Sequence, residues 1–308
     1  MDWMQAIAAA NLRIGAHIRR TPVMQATLAG HDLELKLEQT QHTGSFKARG
    51  AFNSLLSLPV PAAGVVAASG GNHGAAVSYA ASRLGHRARV FVPEFAGPAK
   101  IGLIRRSGGD LTVVPGVFDN ALTAARTYEA ETGAMQIHAF DAPATVAGQG
   151  TLFAEWQDQG LEADTILIAV GGGGLIGGAA AWFGGRKKIV GVEPHNAPTL
   201  NRALTDGPEA LVDVSGVAAN ALGARKIGRI GYDLVRAAGV TSVLVDDDDI
   251  LAAQALLWRE LRQWVEPGGA TALAALLSGA YVPAPGERVA VLLCGGNPAP
   301  DLLPETSH

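Results

Sequence analysis

Lys47 sits in the run Gln41-His42-Thr43-Gly44-Ser45-Phe46-Lys47-Ala48-Arg49-Gly50, among small polar residues at the expected start of a helix. A helix N-terminus disfavours a cation, and the same field helps depress an amine's pKa, as a nucleophilic or Schiff-base lysine requires. For a lone lysine a solvated surface position is the more ordinary reading. A second run, Ser69-Gly70-Gly71-Asn72-His73-Gly74, falls between an expected strand and helix. Its small residues expose backbone amides that suit a carboxylate, and Asn72 adds a neutral donor and acceptor. His73 in such a place is more often a structural helix-start residue than an acid or base. In Leu292-Leu293-Cys294-Gly295-Gly296-Asn297 a strand ends in a small polarisable side chain followed by glycines.

The apolar run Ile166 to Val170 leads into Gly171-Gly172-Gly173-Gly174-Leu175-Ile176-Gly177-Gly178. A strand, a glycine-rich turn and a helix N-terminus together make an anion site, because glycines let the backbone amides approach a phosphate. The same residues allow another reading. Gly172, Gly174 and Gly177 match G-x-G-x-x-G, with Glu193 twenty-one residues after Gly172, so a nicotinamide-dependent dehydrogenase competes at this point.

The elements that must position these residues alternate along the chain. Strands are expected at 65–68, 88–92, 111–114, 165–170, 188–192, 242–245 and 289–293. Helices are expected at 6–18, 75–84, 98–106, 120–131, 175–183, 250–265 and 270–277. Continuous apolar strands separated by helices predict parallel sheets covered on both faces, with ligands bound at the strands' carboxyl ends. The stretch 143–150 is read as the division between two βα series. Asp246-Asp247-Asp248-Asp249 is read as a helix cap and not as a cation site.

Composition agrees with this class. The chain has 308 residues, 48% apolar and 17% charged, which disfavours disorder and leaves room for about two domains or one large α/β unit. The 39 glycines follow no collagen-like period, and the single cysteine, Cys294, excludes an intramolecular disulfide or a multi-cysteine zinc site. A net charge of −4 gives no case for nucleic acid or an anionic membrane. Met1-Asp2-Trp3-Met4 lacks the positive start of a secretory signal, and no apolar run nears spanning length, so cytoplasm is the expected location.

Taken together, these runs resemble the pyridoxal phosphate enzymes of the tryptophan synthase β-like fold (fold type II), and most closely the serine/threonine dehydratases and serine racemases. The resemblance covers nearly the whole chain: Arg20-Thr21-Pro22, Leu35-Lys36-Leu37-Glu38, Thr43 to Gly50, Ser69 to Gly74, Gly171 to Leu175, Glu266-Pro267-Gly268-Gly269-Ala270 and Cys294 to Asn297 fall in family order. It outweighs the dinucleotide pattern. It implies a two-lobed, three-layer αβα architecture with parallel-type sheets: a large cofactor-binding domain of residues 1–44 and 141–308, and a small domain of residues 45–140. It also implies that Lys47 carries the cofactor and shuttles the Cα proton, and that Phe46 lines the ring. Asn72 would bond the ring's 3′-oxygen, and Gly171, Gly172, Gly173, Gly174 and Leu175 would cup the phosphate. Ser69, Gly70, Gly71, Asn72 and His73 would hold the substrate carboxylate.

Two departures from the family pattern carry chemistry. Cys294 stands where Ser or Thr usually faces the pyridine nitrogen; a thiol cannot stabilise a pyridinium as a carboxylate would, which weakens the electron sink and favours elimination over transamination. Racemases of this family usually carry a serine where this chain has Gly70, on the face opposite the lysine. Racemisation needs two acid/base groups and elimination needs one, so Gly70 favours a dehydratase. The implied reaction converts an L-β-hydroxy amino acid, L-threonine or L-serine, to a 2-keto acid and ammonia. A serine racemase and a dehydratase of bulkier hydroxy amino acids (phenylserine, hydroxyaspartate) are the alternatives. Some relatives bind Mg²⁺ or Ca²⁺ near the segment that begins at Glu193. Here Thr199 and Asn220 replace acids, so no metal is expected. A homodimer is expected from the resemblance, and a C-terminal regulatory domain after the Cys294 strand is not expected.

Overall fold

The computed structural model describes residues 1–298 apart from residues 95 and 117; the last ten residues of the expected large domain lie outside that range. Its helices are α1 (Trp3–Ile14), α2 (Lys47–Ser57), α3 (Asn72–Arg83), α4 (Pro98–Arg106), α5 (Phe118–Thr132), α6 (Pro143–Asp158), α7 (Gly174–Phe183), α8 (Thr199–Asp206), α9 (Ala219–Leu222), α10 (Arg229–Ala237), α11 (Asp247–Leu261) and α12 (Pro267–Leu277). Its strands are β1 (Val23–Leu28), β2 (His31–Leu37), β3 (Val65–Ala68), β4 (Ala88–Pro93), β5 (Asp110–Val114), β6 (Met135–Gln136), β7 (Thr165–Ala169), β8 (Lys188–Pro194), β9 (Thr241–Val245) and β10 (Val289–Leu293).

The strands form two sheets. One has four parallel strands in the order β5-β4-β3-β6, and the other six in the order β1-β2-β10-β7-β8-β9. In β3, Val65 and Ala67 pack toward α2 and α3 while Val66 and Ala68 pack toward α5. That alternation explains why the strand is apolar at every position: both faces are covered. The six-stranded sheet holds the largest core, with Leu35, Ile166, Ile168, Val190 and Val291 all fully buried. On the strength of these two sheets we propose the lobe boundaries 1–44 with 141–308, and 45–140.

Some sequence expectations are corrected. The larger sheet is mixed, because β1 pairs antiparallel with β2 through a two-residue turn. Ala29 and Gly30, at φ 48° and 82°, give that turn the left-handed backbone that matches strand twist. Residues 143–150, read as the division between two βα series, form the opening turns of α6, a helix not expected from the sequence. Gly148 and Gly150 serve close packing there: a Cβ on Gly148 would fall 2.7 Å from the Arg49 carbonyl, and one on Gly178 of α7 would fall 2.8 Å from the Gly150 nitrogen. The helix expected to reach residue 265 stops at Leu261, where Arg262 turns left-handed at φ 56°. In the acidic run, Asp249 accepts the Asp246 backbone N–H in a capping box, so these residues start α11 as expected.

Candidate active site

Four loops at the carboxyl ends of β2, β3, β7 and β10 converge, and each carries one of the sequence motifs. Lys47 opens α2 with Phe46 as its cap residue. The preceding loop is tied to the end of β10 by main-chain bonds: Phe46 N–H donates to the Cys294 carbonyl at 3.2 Å, and Gly296 N–H to that of Gly44 at 2.8 Å. The Asn297 amide adds a bond to the Thr43 carbonyl at 2.7 Å. Gly44 is required, since it sits at φ 75° and a Cβ there would strike the Asn297 side chain. These ties set the amine beside Cys294. Lys47 Nζ donates to the Ala139 carbonyl at 2.8 Å and lies 5.0 Å from the centre of the Phe46 ring. Burial pulls its pKa down to about 8.

Behind Lys47, its helix is anchored by a buried charge network. Arg49 is fully buried and pairs with Glu38 at 2.5 Å and Glu155 at 3.0 Å, and Glu155 also takes Lys36 at 2.6 Å. Two cations and two carboxylates thus balance where a lone charge would be costly.

The loop after β3 starts α3. Ser69 Oγ accepts the Gly71 N–H at 3.2 Å, which shapes the turn, and the first-turn N–H groups of α3 have no intrahelical acceptor. His73 is buried with its Nε2 2.8 Å from the Ile137 carbonyl. Burial and then the charge of Lys47 hold its pKa down to about 3, so the ring is neutral. Asn72 donates one amide N–H to Glu266 and accepts from Asn297 at 2.8 Å. Among the described residues its second N–H has no acceptor and can meet a ligand. Glu266 is itself buried, and burial pushes its pKa up to about 7.

The loop after β7 carries Gly171 to Gly174. Gly173, at φ 87°, caps α7, and no acidic side chain occupies that helix's first turn. Phe140, Leu222, Ile227 and Gly231 crowd round the loop, and a Cβ on Gly174 would lie 2.8 Å from the Phe140 backbone. Free helix-start amides without a competing acid suit a dianionic phosphate, and the amine beside them suits an aldehyde, so the donor set fits pyridoxal phosphate. Glu193 lies near the end of β8. Its carboxylate caps α8, accepting N–H bonds from Leu200 at 2.6 Å and Asn201 at 2.8 Å and the Ser242 hydroxyl at 3.0 Å. Cys294 donates its thiol to the Gly268 carbonyl at 3.5 Å, and burial pushes its pKa up to about 12, so it stays a neutral thiol.

Phe46, Lys47, Asn72, Gly171, Gly172, Gly173, Gly174, Leu175 and Cys294 line one pocket. Ser69, Gly70, Gly71, Asn72 and His73 line an adjoining cleft of about 820 Å³ that shares Lys47 and Asn72 with the pocket. The structure therefore brings all the sequence-predicted residues together. Sequence reasoning gave no role to Phe140, Ala139, Glu266 or Asn297. For Glu266 and Asn297 the signal lay in the Glu266 to Ala270 and Cys294 to Asn297 runs; for Phe140 and Ala139 there was none.

The sequence matches the family described as "Pyridoxal-phosphate dependent enzyme" over residues 14–295. It is 38% identical to a phenylserine dehydratase of Ralstonia pickettii, over 96% of this chain and 93% of that one. It is 34% identical to an L-threonine ammonia-lyase of Thermotoga maritima, over 88% of this chain and 68% of that one. Among solved structures, maize serine racemase superposes with a TM-score of 0.91 at 31% identity, covering 97% of this chain and 95% of that one.

Proposed function

Because this chain belongs to the pyridoxal-phosphate dependent enzymes, we propose that it is a dehydratase converting an L-β-hydroxy amino acid, L-threonine or L-serine among them, to a 2-keto acid and ammonia. The observation that carries this reading is the state of position 70. Gly70 offers no side chain on the asparagine loop, and a Cβ there would stand 2.6 Å from the Ala96 Cβ. His73, the titratable residue of that loop, is buried with its Nε2 against the Ile137 carbonyl. Lys47 is left as the base at the junction of pocket and cleft.

The residues then divide the work. The amides at the start of α3 bind the substrate carboxylate. The glycine loop and α7 would hold the cofactor phosphate, Phe46 would line the ring, and Asn72, steadied by Glu266 and Asn297, would offer its second N–H to the ring oxygen. Neutral Cys294 fits an unprotonated ring nitrogen. Bound there, pyridoxal phosphate supplies the sink for the electron pair released at Cα. The Lys47 amine, neutral in a large fraction near pH 8, takes the Cα proton at Nζ. That electron pair would become the Cα–Cβ double bond as the β-hydroxyl takes up the proton gained at Nζ and leaves as water. The released enamine takes up water and yields 2-keto acid and ammonia. Lys47→Ala should abolish keto-acid formation from L-threonine, while retained near-native turnover would refute the assignment.

A further inference from the structure

Beside the groups assigned to the carboxylate and amine, the cleft is lined by three large apolar side chains set among charged ones. Phe118 opens α5 on one side and is 46% exposed; Leu211 lies on the other side and is 67% exposed. Val214 lines the same end. What sets these side chains apart from the other exposed apolar residues is that they share the lining of one cleft, where apolar walls supply contact area for a ligand.

Polar ties hold the two walls opposite each other. Asp119, the neighbour of Phe118, lies 3.8 Å from Arg225 across the mouth. Arg225 is paired in turn with the Leu211 segment: its backbone carbonyl accepts the Val212 N–H at 2.9 Å, and its guanidinium lies 3.7 Å from Asp213. The rim charges thus face one another, since Lys226 also pairs with Glu209. No uncompensated charge among these groups invites an acidic or basic substituent, which weighs against hydroxyaspartate. A methyl group or a hydrogen on Cβ would leave Phe118 and Leu211 uncovered, whereas a planar ring would bury both.

We propose that Phe118, Leu211 and Val214 form a subsite for an aromatic β-substituent, making 3-aryl-3-hydroxy amino acids the preferred substrate class. This rests on the elimination reading above. The test uses the holoenzyme with threo-phenylserine, L-threonine and L-serine, following keto acid, and repeats it with Phe118→Ala and Leu211→Ser. The wild type should favour phenylserine over threonine in kcat/KM by about tenfold or more, the scale on which apolar pockets discriminate. Each variant should lower that ratio severalfold, chiefly by raising KM for phenylserine. Keto acid from threonine or serine with phenylserine no better, or variants that leave the ratio unchanged, would overturn the subsite alone. Keto acid from none of the three would overturn the elimination reading instead.

Discussion

Glu266 and Asn72 stand 194 positions apart in the chain, and the Asn72 amide donates a hydrogen bond to the Glu266 carboxylate. The bond joins the start of α3, beside the four-stranded sheet, to the start of α12, beside the six-stranded one. It fixes the amide that faces the cofactor pocket, and it places a buried carboxyl within that contact.

That carboxyl should leave a mark on stability. Burial raises it from an ordinary 4.5 to about 7, against the pull of Lys100 and Asn72. Between those values the folded protein keeps a proton that the unfolded chain has released. The contribution is therefore full below 4.5, shrinks as pH rises through the window and is gone above about 7. Urea unfolding of wild type and Glu266→Gln at pH 5 and pH 8 should show wild type losing roughly 2–3 kcal/mol relative to the variant as pH rises. Parallel profiles would contradict the assignment.

Position 70 should resist a side chain. Gly70→Ser puts its Cβ against Ala96, and overpacking of this kind costs about 1–3 kcal/mol. Thermal unfolding should show a lowered midpoint, with Ala96→Gly restoring part of the loss in the double variant. An unchanged midpoint in Gly70→Ser alone would show that the space is open.

Arg49 should matter for the fold as much as for the site. Removing it leaves Glu38 short of its cation and Glu155 with Lys36 alone. Breaking one partner out of a buried charge network costs about 3–5 kcal/mol, so Arg49→Ala should fall by that amount in denaturant unfolding. Arg49→Lys should recover only part, because an ammonium cannot reach both carboxylates as the guanidinium fork does. A loss below about 1 kcal/mol, the worth of a surface pair, would contradict the network's role.

The site's first contacts were legible because each is a short run that breaks local secondary-structure logic: Lys47 at a helix start, Asn72 between glycines, four glycines after β7. Glu266 and Asn297 lie in recognisable runs, but their meaning lies in contacts across 194 and 225 positions. The helix α6 was hidden by its own glycines. In three dimensions Gly148 and Gly150 let α2 and α7 approach. The place of β10 between β2 and β7 was equally unreadable, because strand order is set by packing and not by local pattern.

The central claim is elimination from one face by Lys47, with no second acid at position 70. The most direct measurement follows 2-oxobutyrate, ammonia and D-allothreonine together while the holoenzyme consumes L-threonine. Equal amounts of 2-oxobutyrate and ammonia, with D-allothreonine at most a minor product, is the result predicted here. D-allothreonine appearing faster than 2-oxobutyrate would contradict it, because inversion at Cα requires the second acid/base group that Gly70 does not supply.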